Sequence, residues 1–159
     1  MAILPGTQVI FPDTLADMRA WLRANSLLQP LHQGRVFFRL PDFLFSPKDA
    51  QASTPAIRLY RHGGGPRANS EVPIDDARLT LECWVGAPRQ YASLRQLVLA
   101  VTSVLHDLPS ASLPLNPPDG CLLLNAQVSG TIDAPDPETG WPRVVMSMTA
   151  STIASGSTI

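Results

Sequence analysis

The sequence predicts an α+β fold: a mainly antiparallel β-sheet with two α-helices packed on one face, in the order α-β-β-β-α-β-β. Three observations carry that expectation. In residues 78–85, Leu79, Leu81, Cys83 and Val85 alternate with Arg78, Thr80, Glu82 and Trp84, the period of two that marks a half-buried strand. From Leu94 onward, Leu97, Val98, Val101, Leu105 and Leu108 recur at helical spacing and form one apolar stripe. In residues 143–153, Val144, Met146, Met148 and Ala150 oppose Val145, Ser147, Thr149 and Ser151. Strands with one apolar side and helices with one stripe bury both by packing helix on sheet.

The remaining elements follow in order. Thr14 starts the first helix as its cap, Asp17 completes a variant of the capping box, and Pro12 lies just outside. Leu15, Met18 and Leu22 share a face with Trp21 beside them, and Asn25 is the stop. Residues 36–40 read as the first strand and 56–61 as the second, which the glycine run after His62 ends abruptly. After the third strand, Pro88 suits the first turn of the second helix; His106 suits its last turn, and Pro109 stops it. Residues 121–132 form the next strand, its second half alternating through Ala126, Val128 and Ile132, and a wide polar hairpin loop leads to the last.

At 159 residues the chain is expected to be a single domain, 1–159, with a loose tail at 154–159. The formal charge of −1 and pI near 6.3 argue against a bulk nucleic-acid or membrane-surface binder. Lys48 is the only lysine among twelve basic residues, an arginine bias that genome composition explains as readily as interface chemistry does. Cys83 and Cys121 form no CxxC pair and read as buried, reduced thiols; no metal or cofactor is implied. No stretch reaches the roughly 18 apolar residues of a membrane span, and the first residues do not resemble a secretion signal. A soluble, unexported product is expected. Sixteen prolines and ten glycines gather at 38–55, 62–73, 109–120 and 133–142, marking long loops of the kind that carry function.

Several groups invite a chemical reading. His62-Gly63-Gly64-Gly65 matches a string that supplies oxyanion-hole N–H groups in lipases and esterases. No G-x-S-x-G sequence accompanies it, and a turn with positive-φ glycines explains it as well. Asp133, Asp136 and Glu138 only loosely resemble a divalent-metal loop, so a solvated loop or a charged partner contact is the better reading. Trp84 stands on the polar side of its strand. Either the chain's own loops cover it, or it contacts another subunit, where tryptophan and arginine are enriched. Trp141 and Tyr60 pose the same question. No catalytic residue is expected.

Three stretches together resemble the tail terminator proteins of long-tailed bacteriophages, also called minor tail or tail-completion proteins. They are IRLYRHGGGPR (57–67), ARLTLECWVGAPRQYASLRQLVLAVTSVLHDL (77–108) and DAPDPETGWPRVVMSM (133–148). The helix at 15–23 also falls where that family has one. The longer N-terminal lead and the 40–55 and 109–120 stretches depart from the pattern. The resemblance implies a virion protein, assembled in the host cytoplasm, that forms a homohexameric ring. That ring caps the major tail tube protein, ends tube growth and offers the surface for head–tail connector or stopper proteins. Genomic DNA would pass through its lumen without specific binding, which suits a near-neutral chain. The positions that match are Arg61, Gly63, Gly64, Gly65, Arg67, Trp84, Asp136, Glu138, Trp141 and Arg143, as subunit or partner contacts.

Overall fold

Asp13, rather than Thr14, caps the first helix: its carboxylate accepts from the Ala16 N–H at 3.1 Å. Thr14 is thereby freed to reach into the sheet. The computed structural model describes residues 12–86, 90–107, 113–115 and 121–154. Pro88, Leu108, Pro109, the lead at 1–11, most of the 109–120 loop and the tail at 155–159 lie outside those residues.

The elements are α1 (Thr14–Ala24), α2 (Gln29–His32), β1 (Val36–Phe37), β2 (Ala56–Pro66), β3 (Ile74–Trp84), α3 (Tyr91–His106), β4 (Leu113–Pro114), β5 (Leu122–Asp133) and β6 (Arg143–Ile153). The strands form one sheet in the order β1-β2-β3-β6-β5-β4, antiparallel throughout except for the parallel β1–β2 pair. The α+β class and the dominance of antiparallel pairing agree with expectation, and β6 has the expected bounds. The expected order lacked α2 and β4. Asn25 creates α2 by turning the chain, its side chain accepting from the N–H groups of Leu27 and Leu28.

Cross-strand pairing sorts the side chains. Ile57, Leu59, Leu79, Leu81, Cys83, Met146, Met148 and Ala150 share one face and are fully or almost fully buried. Met18 and Leu22 of α1, with Leu94, Leu97 and Val101 of α3, complete this core, so both long helices cover the same face. Each such side chain contributes roughly 1.5–3 kcal/mol when fully buried.

Other expectations need correction. β1 pairs over two residues, not five, because beyond Phe37 the chain departs into the 41–55 loop. That loop is held by Asp49, which binds both terminal nitrogens of Arg35 and accepts from the N–H groups of Phe45 and Gln51. The glycine run does not end β2. The strand continues to Pro66 through a bulge at His62, with Gly63 to Pro66 paired to β3. β3 is buried on both sides from Leu79 to Trp84, because on its outer face Thr80 meets His62, Glu82 is held by Arg58 and Arg143, and Trp84 lies against Trp141, while Arg78 stays exposed. Ile132 does not point to the core. The register shift at Ser129 reverses the alternation that runs through Ala126 and Val128, so Ile132 pairs with Val145 on the outer face and is 64% exposed.

Candidate interaction surfaces

The residues singled out from sequence fall into two groups at opposite ends of the sheet. The run from Arg61 to Arg67 lies along β3 from its midpoint to its start, while Trp84, Arg143 and the 134–142 loop lie at its end. The two groups are about 17 Å apart at Arg61 and about 30 Å apart at Arg67. The candidate residues thus form two separate groups along the sheet.

At the first end, Arg61 stands on the helix-covered face and grips Asp75 with two hydrogen bonds of 2.7 Å. Thr14 donates to the same carboxylate at 2.6 Å and meets Thr152 at 2.7 Å, tying α1 to β3 and β6. Burial of Asp75 opposes its ionisation, yet the Arg61 and Thr14 hydrogen bonds outweigh it and hold its pKa below the usual carboxylate range. Arg67 lies on the other face and makes a forked pair with Asp76 at 3.0 and 2.9 Å. Hydrogen bonds from Arg67 and Ser151 lower the Asp76 pKa. Both partners of the Arg67–Asp76 pair are largely exposed, so it orients the strand end more than it stabilises it.

Gly64 is required by geometry. Its φ is +83°, and a Cβ there would run into the Asp76 carbonyl oxygen. The His62 imidazole meets the Thr80 hydroxyl at 2.8 Å, and the glycines that follow are strand-paired with β3. This is not the converging loop of amides that an oxyanion hole requires.

At the second end, Glu82 is 2% exposed and is clasped by Arg58 at 3.1 Å and Arg143 at 3.2 Å. Arg143 stacks over the Trp84 ring at 5.2 Å and donates from Nε to the Ala134 carbonyl at 2.9 Å. Trp141 stands edge-on to both Phe45 (5.2 Å) and Trp84 (6.4 Å). Trp84 is therefore 5% exposed, covered by the chain's own loops, while Trp141, Phe45 and Tyr60 are left half-buried. Asp136 organises the loop above. Its carboxylate accepts from the Thr139 N–H and hydroxyl at 2.9 and 2.7 Å, which also lowers its pKa. Glu138 projects into solvent beside it.

Burial makes both thiols poor nucleophiles. It raises the Cys83 pKa and, with the neighbouring Asp17, pushes Cys121 up to about 12. Among the described residues no cluster of His, Cys, Asp or Glu could hold a metal, and no helix is long and apolar enough to cross a membrane. The depressions at the surface are open. One of about 420 Å³ lies on the outer sheet face between Gly64, Arg67, Arg78 and Thr149.

Sequence reasoning passed over the exposed apolar residues Leu27, Phe38, Phe43, Tyr91 and Leu99, and placed Ile132 on the wrong face. It also passed over the sheet edges. For the edges a signal was present, since residues 122–132 carry no charge and no proline.

Fold and surface together describe an α+β chain whose candidate groups are largely engaged with one another inside the chain. No protein-family profile matches the sequence, and no curated protein matches it either. Its fold is similar to that of a chain in the virion of a native gene transfer agent (GTA) particle, with a TM-score of 0.64. The match covers 88% of this chain and 94% of that one at 15% identity, a likeness of fold.

Proposed function

We propose that this chain is a structural virion subunit of the tail-terminator kind. Copies assemble into a homohexameric ring that caps the tail tube, ends its polymerisation and presents a surface for head–tail joining. The observation that carries this reading is a near full-length likeness of fold to a virion-particle chain, reached independently of the sequence resemblance described above. The separation of two polar ends by the length of β3 supports it, because a capping ring needs one surface for the tube and another for the head. A second connector-type role, as a stopper subunit, is compatible with the same fold. A hydrolase is not favoured, since the His62 glycine run is engaged in the sheet.

The test is assembly. Light scattering and negative-stain imaging of the purified chain, alone and with tail tubes, are expected to show six-fold rings, free or on tube ends. A chain that remains monomeric in both settings, or tails that end at normal length without it, refutes the proposal.

A further inference from the structure

The sheet has two open edges, and they are complementary. Along β2 only Ile57 and Arg58 have a partner on the outer side, from β1. Along β5 only Leu122 and Leu123 have one, from β4. Among the described residues, nothing pairs with the outer edge of β2 from residue 59 to 66 or of β5 from 124 to 133. The β5 edge lacks the lysine, proline or inward charge that ordinarily keeps a free strand from pairing, so the bulges at Leu124 and Ser129 are its only guard, and they leave the runs 125–128 and 130–133 in regular register.

Strand direction decides how two such edges can meet. Three antiparallel steps separate β2 from β5, so the two run in opposite directions. A second copy placed alongside, with its helices on the same side, brings its β2 edge antiparallel to the β5 edge of the first. In that alignment β1 and β4, each at the start of its strand, sit at opposite ends of the seam. Residues 59–66 then face residues 124–131, two stretches of equal length that neither short strand obstructs. Gly65 and Gly130 have nothing within 4 Å of where a Cβ would be, so the sheet face is uncrowded at those two points.

Side chains at the end of that seam also match. Beyond Thr131 come the exposed Ile132 and Asp133, with Glu138 in the adjoining loop. Opposite lie Arg58, whose charge is already held by Glu82, and the chain beyond β1, where Phe38 is 39% exposed and Arg39 and Lys48 are open to solvent with the exposed acid Asp42. Arg58 donates to the Phe38 carbonyl, so Ile132 of one copy arrives next to Phe38 of the other. Apolar meets apolar, and acid meets a basic excess.

We propose that the β5 edge of one copy pairs with the β2 edge of the next, giving a head-to-tail contact that makes the sheet continuous from subunit to subunit. A heterologous contact of this kind closes into a ring when its rotation allows, whereas a two-fold contact stops at a dimer. The inference rests on the ring reading above and names its seam.

The test compares hydrogen exchange of the full-length chain as dilute monomer and as assembly. The outward-pointing amides of 59–65 and 124–131, those not already bonded to β3 or β6, are expected to exchange at least tenfold more slowly on assembly. The Gln127→Lys, Ile132→Lys double variant alters two exposed side chains. It is expected to stay monomeric at concentrations where the wild type assembles, with an unchanged Tm. Assembly without new protection on both edges, protection of 124–131 alone, or edges already protected in the monomer overturns the seam, as does a double variant that assembles normally. In each of these cases the ring reading survives. A wild-type chain that never self-associates, even on tail tubes, overturns both.

Discussion

Replacing Asp49 by asparagine tests how the 41–55 loop is held, and through it the aromatic cover of Trp84. The Asp49 and Arg35 side chains are 3% and 5% exposed and joined at 2.8 Å. Arg35 is the main cause of a carboxyl pKa lowered from 3.8 to about 2. That depression corresponds to about 2 kcal/mol of stability at neutral pH. Asp49→Asn keeps the shape, removes the charge, and leaves the Arg35 guanidinium buried beside Phe45 without a counter-ion. Breaking a buried pair from one side costs about 3–5 kcal/mol, so a loss of about 2–4 kcal/mol is expected. Because the folded pKa is depressed, the contribution is present in full above pH 3.8 and is lost as pH falls toward 2. Urea unfolding followed by tryptophan fluorescence should show the largest wild-type–variant gap at pH 7. The gap should shrink by roughly half or more by pH 2.5. A gap under about 0.5 kcal/mol at pH 7, or one indifferent to pH, would refute the claim that this ion pair holds the loop.

Four further outcomes follow from the same structure. Val101 is fully buried against the sheet, so Val101→Asp should abolish soluble folded protein, as read by yield and circular dichroism. Gly64→Ala should cost at least about 2 kcal/mol in chemical denaturation, combining a left-handed backbone with a collision against the Asp76 carbonyl. Trp141→Ala should cost about 2 kcal/mol and red-shift the fluorescence of Trp84, whose cover it removes, while leaving the rest of the sheet intact. His32 is buried, accepts from the Gly34 N–H at Nδ1 and faces the Leu22 carbonyl with Nε2; burial lowers its pKa. Its contribution is therefore complete above pH 6.5 and declines below it, giving a fall in Tm between pH 7 and 5 that His32→Gln should flatten.

Long, strongly periodic segments were legible from sequence. The stripe of α3 and the alternation of β6 depend on the side chain at each position, and both were read with the correct buried face. What escaped reading depends on contacts made far along the chain. Thr14 looked like a cap because its rank in the helix is local information, whereas its bonds to Asp75 and Thr152 are not. The strand character of the His62 glycine run comes from pairing with β3, against the low intrinsic preference of glycine for strands. Ile132 was misassigned because a bulge inserts one unpaired residue, and an alternating pattern carries no mark of it. α2 is one turn long, too short to show a period.

The candidate contact residues illustrate a related ambiguity. Arginine and tryptophan are enriched where proteins meet, yet the same properties suit them to fastening loops within a subunit. Here Arg61 and Arg143 direct their guanidinium groups at Asp75 and Glu82, and Trp84 lies beneath Trp141. Those side chains are already committed, so a partner gains little from them without breaking an internal bond. Backbone on a free edge has no such commitment, because its N–H and C=O groups exchange water for a partner strand. If assembly uses edges, alanine replacement at Arg61 or Arg143 should lower the stability of the monomer before it affects association. If assembly uses those side chains, the order reverses. Measuring the Tm and the self-association constant on the same variants separates the two cases.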